Sequence, residues 1–116
     1  MSDRITGNYL RAHRRKSGLT QRELGRLLGY SGKGPIPRHE QARSVPPFLT
    51  ALAYESVFQV PVSAIFTGFH STVSANILSN LRQFEADLDR LNGERRLSAL
   101  MQQKRQWLKE RLRAER

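Results

Sequence analysis

All five prolines of this chain fall between positions 35 and 61 (Pro35, Pro37, Pro46, Pro47 and Pro61), and Gly18 and Gly29 stand just upstream of them. Proline disrupts a helix interior because it lacks an amide donor and clashes with the preceding turn. Glycine ends helices readily because it takes up the left-handed conformation without strain. The first 66 residues are therefore divided into short segments. No strand signal among them is stronger than VFQVPV (57–62), so the expectation is an all-α domain of five short helices.

The punctuation places the elements. Asn8 or Thr6 caps a first helix running to about Ser17, with Tyr9, Leu10 and Ala12 as apolar contacts and Gly18 as its stop. Thr20-Gln21-Arg22-Glu23 reads as a capping box, in which Thr20 accepts from the third amide and Glu23 reaches back. Leu24, Leu27 and Leu28 then follow at helical spacing until Gly29. Residues 30–37, YSGKGPIP, form a turn. A third helix opens at Pro35 to Pro37, where the first amides need no internal partner, and runs to about Ala42. Pro46 and Pro47 open a fourth, with Phe48, Leu49, Leu52, Ala53 and Phe58 on one face and Val57 beside them. Pro61 starts a short last turn carrying Val62, Ile65 and Phe66.

Charge divides the same stretch. Among 116 residues, 20 Lys and Arg oppose 10 Asp and Glu, a formal net charge of +10. Residues 1–45 hold ten basic groups against Asp3, Glu23 and Glu40, a local balance of +7. Residues 46–69 carry Glu55 alone. An acidic polymer, nucleic acid first, is the partner class such a balance favours. Residues 48–69 are interrupted by Glu55, Gln59 and Pro61, and no apolar run approaches the ~18 residues of a membrane span. The N-terminal stretch lacks the apolar core of a secretory signal. With no cysteine, disulfides, thiolate zinc sites and cysteine nucleophiles are excluded, and a cytoplasmic location is expected.

Residues 70–116 read as a separate helical extension for dimerisation or partner binding, distinct from residues 1–69. Ile77, Leu81, Phe84, Leu88 and Leu91 are spaced 4, 3, 4, 3, the pattern of a coiled-coil seam about two heptads long. Asn92-Gly93 breaks the phase, and Leu97, Leu100, Met101, Trp107, Leu108 and Leu112 resume in another register on a basic helix. An antiparallel hairpin and docking on a second chain each account for the change. Trp107 reads most simply as an anchor in that packing.

GLTQRELGRLLGY (18–30), IPRHE (36–40), the Pro46-Pro47 pair and the closing VPVSAIF together resemble the lambda-repressor/Cro-like (XRE) helix-turn-helix family over residues 8–66. The resemblance implies a five-helix domain whose third helix lies in the major groove of double-stranded DNA. By position it places Lys33, Gly34 and Arg38 where the family reads bases. It places Thr20, Gln21, Arg43 and Ser44 at phosphate, and makes Arg14 and Glu40 a structural ion pair between the first and third helices. It further implies a prokaryotic transcription regulator, most simply a repressor, acting as a homodimer without a cofactor. Three features depart from the family pattern: a turn one residue longer, prolines at 35 and 37, and Ala42 where glycine is common.

Plainer readings stand beside these. The basic stretch 11–16 also suits a solvated helix face, and Lys33 and Arg38 suit ordinary exposure. Gly32-Lys33-Gly34 is not a phosphate loop, because the spaced glycine and the following Ser or Thr are missing. His13, His39 and His70 have no ligand pattern around them, so no metal site is expected, and His39 is expected to pack against the domain or touch phosphate. No carboxylate pair has the apolar flanks of tuned acid–base chemistry, so no enzymatic activity is expected. The rival to DNA reading is a protein-interaction module or an antitoxin of a toxin–antitoxin pair, working through the C-terminal helices.

Overall fold

Every glycine and proline break becomes a helix end. Helix α1 (Leu10–Lys16) is followed by Gly18 at φ +77°, and α2 (Gln21–Leu27) by Gly29 at φ +99°. After them come α3 (Ile36–Glu40), α4 (Phe48–Phe58), α5 (Val62–Ile65), the long α6 (Thr67–Asn92) and α7 (Ala99–Arg113). The computed structural model describes residues 7–92 and 98–113; the expected breaks and contacts at Thr6, Gly93 and Leu97 lie outside them. Among the described residues the chain is all-helical, with one isolated β-bridge between Asn8 and Phe66. It divides into two compact units, Met1–Ser71 and Thr72–Arg116.

In the first unit the N-terminal segment is clamped to the start of α6. The Tyr9 amide donates to the Ile65 carbonyl at 2.7 Å, and the Thr67 hydroxyl donates to the Gly7 carbonyl at 2.7 Å. The Asn8 carboxamide oxygen accepts from the Leu10 amide, which makes Asn8 the side chain that starts α1. Leu10, Leu24, Ile36, Tyr54, Ile65 and Phe66 form the buried core, with Leu28, Val57, Phe58, Val60, Val62 and Phe69 packed around it. Both halves of the capping box on α2 are present: Thr20 Oγ1 accepts from the Glu23 amide and Glu23 Oε1 accepts from the Thr20 amide. Gly25, buried in mid-helix, lets the Gly32 carbonyl approach so closely that a Cβ there would collide with it. Glu55, the lone charge of its apolar stretch, accepts from the Val62 amide at the start of α5.

Three expectations need correction. Helix α4 does not bury Phe48, Leu49 and Leu52. Phe48 is 73% exposed and Leu49 76% exposed, and the core side of the helix is the opposite one, around Tyr54, Val57 and Phe58. Because α4 is apolar on nearly every side, its sequence does not mark which side faces inward. On α2, Leu24 is buried but Leu27 is exposed. Helix α3 ends at Glu40 rather than Ala42, because Ala42 sits in the left-handed region at φ 57°.

In the second unit α6 and α7 pack as an antiparallel hairpin. Leu88, Leu108 and Leu112 are buried, with Leu78, Leu81 and Met101 against them, and Arg105 Nη2 bridges to Asp89 Oδ1 at 2.8 Å. The expected seam is thereby divided: Leu81 and Leu88 turn toward α7, while Ile77, Phe84 and Leu91 remain exposed. Trp107 is no anchor in this packing; it is 44% exposed and carries the Arg111 guanidinium over its ring at 5.0 Å.

A left-handed residue with a Cβ costs roughly 1–2 kcal/mol, part of which glycine loses again through its freer unfolded chain. Ala42→Gly is therefore expected to raise stability by up to about 1 kcal/mol in urea titrations. A loss of stability would show that the Ala42 methyl makes packing contacts that outweigh the strain.

Candidate nucleic-acid interface

A buried ion pair organises the region around α2 and α3. Arg14, near the end of α1, reaches Glu40 on α3 with Nε–Oε2 at 2.5 Å and Nη2–Oε1 at 3.2 Å. The two side chains are 11% and 3% exposed. Arg14 Nη1 also donates to the Leu19 carbonyl at 2.9 Å, and Gln21 Nε2 at the start of α2 donates to Glu40 Oε1 at 3.1 Å. The carboxylate thus accepts three hydrogen bonds from two other helices. Such a pair is tolerated in a low-dielectric setting only when its hydrogen-bonding capacity is met in this way.

Helix α3 has only five residues, and its inward side chains are held one by one. Ile36 lies in the core. His39 is buried, its Nδ1 2.7 Å from the Tyr54 hydroxyl and its carbonyl accepting from Asn8 Nδ2 at 2.8 Å. Burial first, and the neighbouring Arg38 charge second, hold His39 below its usual range. Burial, then Tyr30 and Glu40, push the Tyr54 phenol well above its own. His39 is therefore neutral here and accepts from the tyrosine. Pro35 and Pro37 sit at the start of the helix, where their missing amides break no helical hydrogen bond.

The residues singled out from the sequence fall around this node. Lys33, Arg38 and Arg43 are exposed, as is Thr20; Ser44 is half-buried. Gly34 is exposed with φ +54°, and a Cβ there would press into the Tyr30 ring, so Gly34 lets that ring close over the turn. The Arg43 amide donates to the Arg38 carbonyl at 2.9 Å, tying the two cationic residues into one loop. Gln21 is engaged with Glu40 and serves the node, whatever else its second amide proton does. Arg11, Arg15, Lys16, Arg22 and Arg26 are exposed as well, and Glu23, the exposed acid among the helices of this region, is occupied in the capping box.

Sequence reasoning did not single out Asn8, Tyr54 and Tyr30. Asn8 was readable as a cap, but its second bond, to the His39 carbonyl 31 residues away, leaves no local trace in the sequence. Among the described residues no three His, Asp or Glu side chains come together as a metal site. No described helix is long and apolar enough to cross a membrane. The chain matches no family model, no curated protein and no solved structure.

Two outcomes are expected from this geometry. Glu40→Ala leaves Arg14 charged and largely buried, and thermal unfolding is expected to show a loss of ~3 kcal/mol or more. A melting curve unchanged by the substitution would mean that water enters and takes over the guanidinium. For His39, the folded state favours the neutral ring, so stability is complete above the ordinary value of 6.5 and falls as pH drops through it toward the lower folded value. The melting temperature is expected to decline between pH 7 and 5, and His39→Gln to flatten that decline. Equal slopes in the two proteins would remove His39 as the cause.

Proposed function

We infer that residues 1–69 form a helix-turn-helix domain of the lambda-repressor type that binds double-stranded DNA sequence-specifically, and that the protein is a transcriptional regulator, most simply a repressor, acting as a homodimer through residues 70–116. One observation carries the reading. The charged node Arg14–Glu40–Gln21 is sequestered inside, while Lys33, Arg38 and Arg43 are displayed together on the turn, on α3 and on the loop after it. A surface that neutralises its internal charges and presents only cations outward has the electrostatic footprint of a phosphate-backbone partner. Arg38 is the base-reading candidate, with Lys33 and Gly34 beside it on the turn. Arg43 and Ser44, with Thr20 and Gln21, are the phosphate candidates.

A second reading, a protein-interaction module, draws on the apolar surface of Val45, Phe48, Leu49 and Leu52 at the start of α4, all of which are exposed. The two readings differ in salt dependence. If each copy engages about four phosphates, the dimer's log–log slope of affinity against salt is expected near −7. Arg38→Ala is expected to cost roughly 1–3 kcal/mol on a site selected from a random DNA pool and to relax the preference at one base pair. Arg43→Ala is expected to weaken all sequences alike and flatten the slope by about one unit. Absence of duplex binding at low salt would leave the interaction module as the reading.

A further inference from the structure

We propose that one face of the α6–α7 hairpin is a self-association surface, on which a second copy of this chain docks to form a four-helix bundle with α6 packed against α7 of the other copy. This rests on the homodimer of the proposed function and assigns its interface.

Helical geometry puts the exposed apolar residues on a single face. On α6 the side chains turned toward α7 are Leu78, Leu81 and Leu88; on α7 those turned toward α6 are Met101, Leu108 and Leu112. At about 100° per residue, Phe84 and Leu91 on α6, and Leu100 and Trp107 on α7, each lie roughly a quarter-turn from the inward direction of their own helix. Because the two helices are antiparallel, these quarter-turns point to the same side of the hairpin. The opposite side is polar and is closed by the Arg105–Asp89 bridge. Both exposed pairs repeat at seven residues, the interval of interdigitating bundle seams.

The size and the charge of the face identify its occupant. Phe84 is 39%, Leu91 43%, Leu100 69% and Trp107 44% exposed. With Ile77 and Val73 continuing the stripe, the face offers on the order of 600 Å² per copy, near the ~800 Å² that each partner buries in a standard interface. From residue 72 onward α6 carries Arg82 and Arg90 against Glu85, Asp87 and Asp89, a balance of −1; α7 carries five cations against Glu110, a balance of +4. A second copy related by a two-fold axis parallel to the helices sets each α7 beside the other copy's α6 and keeps the two cationic helices apart. An axis across the helices would put α7 against α7. The parallel axis also preserves height along the bundle. The Arg105–Asp89 bridge sets position 105 level with 89, so Trp107 of one copy falls level with position 87 of the other, between Phe84 and Leu91. Both chains then enter the bundle from the same end.

The test uses the full chain without DNA. Trp107 is the single tryptophan, so its emission reports this face alone. Sedimentation at micromolar concentration is expected to give a dimer, and dilution is expected to move the Trp107 emission to longer wavelength as the copies part. Phe84→Asp is expected to raise the dimer dissociation constant at least ~10-fold and leave the emission at its long-wavelength position. Should Phe84→Asp lose helical circular dichroism, Leu100→Asp, at a more exposed position, takes its place with the same expectation. A wild-type chain that sediments as a monomer throughout overturns the proposal, whatever other protein the face binds. So does a dimer that persists in these variants with its concentration-dependent emission intact. Failure of DNA reading looks different: duplex binding is absent while the dimer and its Trp107 signal remain.

Discussion

The Glu40 carboxylate lies almost entirely out of water, and the arrangement of the first unit follows from what that requires. Removing a carboxylate from water costs several kcal/mol unless donors replace the water. Here they come from Arg14 on α1 and Gln21 on α2, so satisfying one side chain fixes three helices together. A helix of five residues has no stability of its own. Helix α3 persists because Ile36 fills the core, His39 meets Tyr54 and Glu40 meets Arg14. With positions 36, 39 and 40 facing inward, 100° per residue sends position 38 outward. The exposure of Arg38, on which the proposed base reading depends, is thus a consequence of the buried node rather than an independent choice.

The same dependence explains what the sequence disclosed and what it withheld. Local devices were legible: the Thr20–Glu23 capping box, the left-handed glycines at 18 and 29, and the helix starts at Pro46-Pro47 and Pro61 all lie where pattern and backbone chemistry put them. The Arg14–Glu40 pair spans 26 residues and was anticipated through family resemblance alone, since no periodicity connects two residues so far apart. The side of α4 that faces inward was misread because the helix is apolar all round and amphipathicity carries no information there. The spacing 77–81–84–88–91 was read as one seam. A run of 4 and 3 spacings fits two adjacent stripes equally well, and packing against α7 takes Leu81 and Leu88 while leaving Phe84 and Leu91 outside. Of the candidate interface, the cations were legible as residue types. That Gln21 belongs to the node and Gly34 to the Tyr30 packing was not, because both depend on tertiary partners.

The two units use opposite means of reaching a defined structure. The first surrounds a compact aromatic and aliphatic core with a satisfied polar node, which specifies one arrangement because a misplaced donor leaves a buried charge unpaired. The second has no such node: its hairpin fully buries only three leucines, and its inter-helix polar contact is an exposed pair worth under about 1 kcal/mol. Isolated helices draw most of their stability from packing on an apolar face, so a hairpin with a second apolar face open to water gains most by covering it. A second copy does so with complementary charge. Association and folding of the hairpin are then linked by mass action, and any ligand that engages both first units at once, as a paired DNA site would on the proposed reading, draws the hairpins together and stabilises them without touching them.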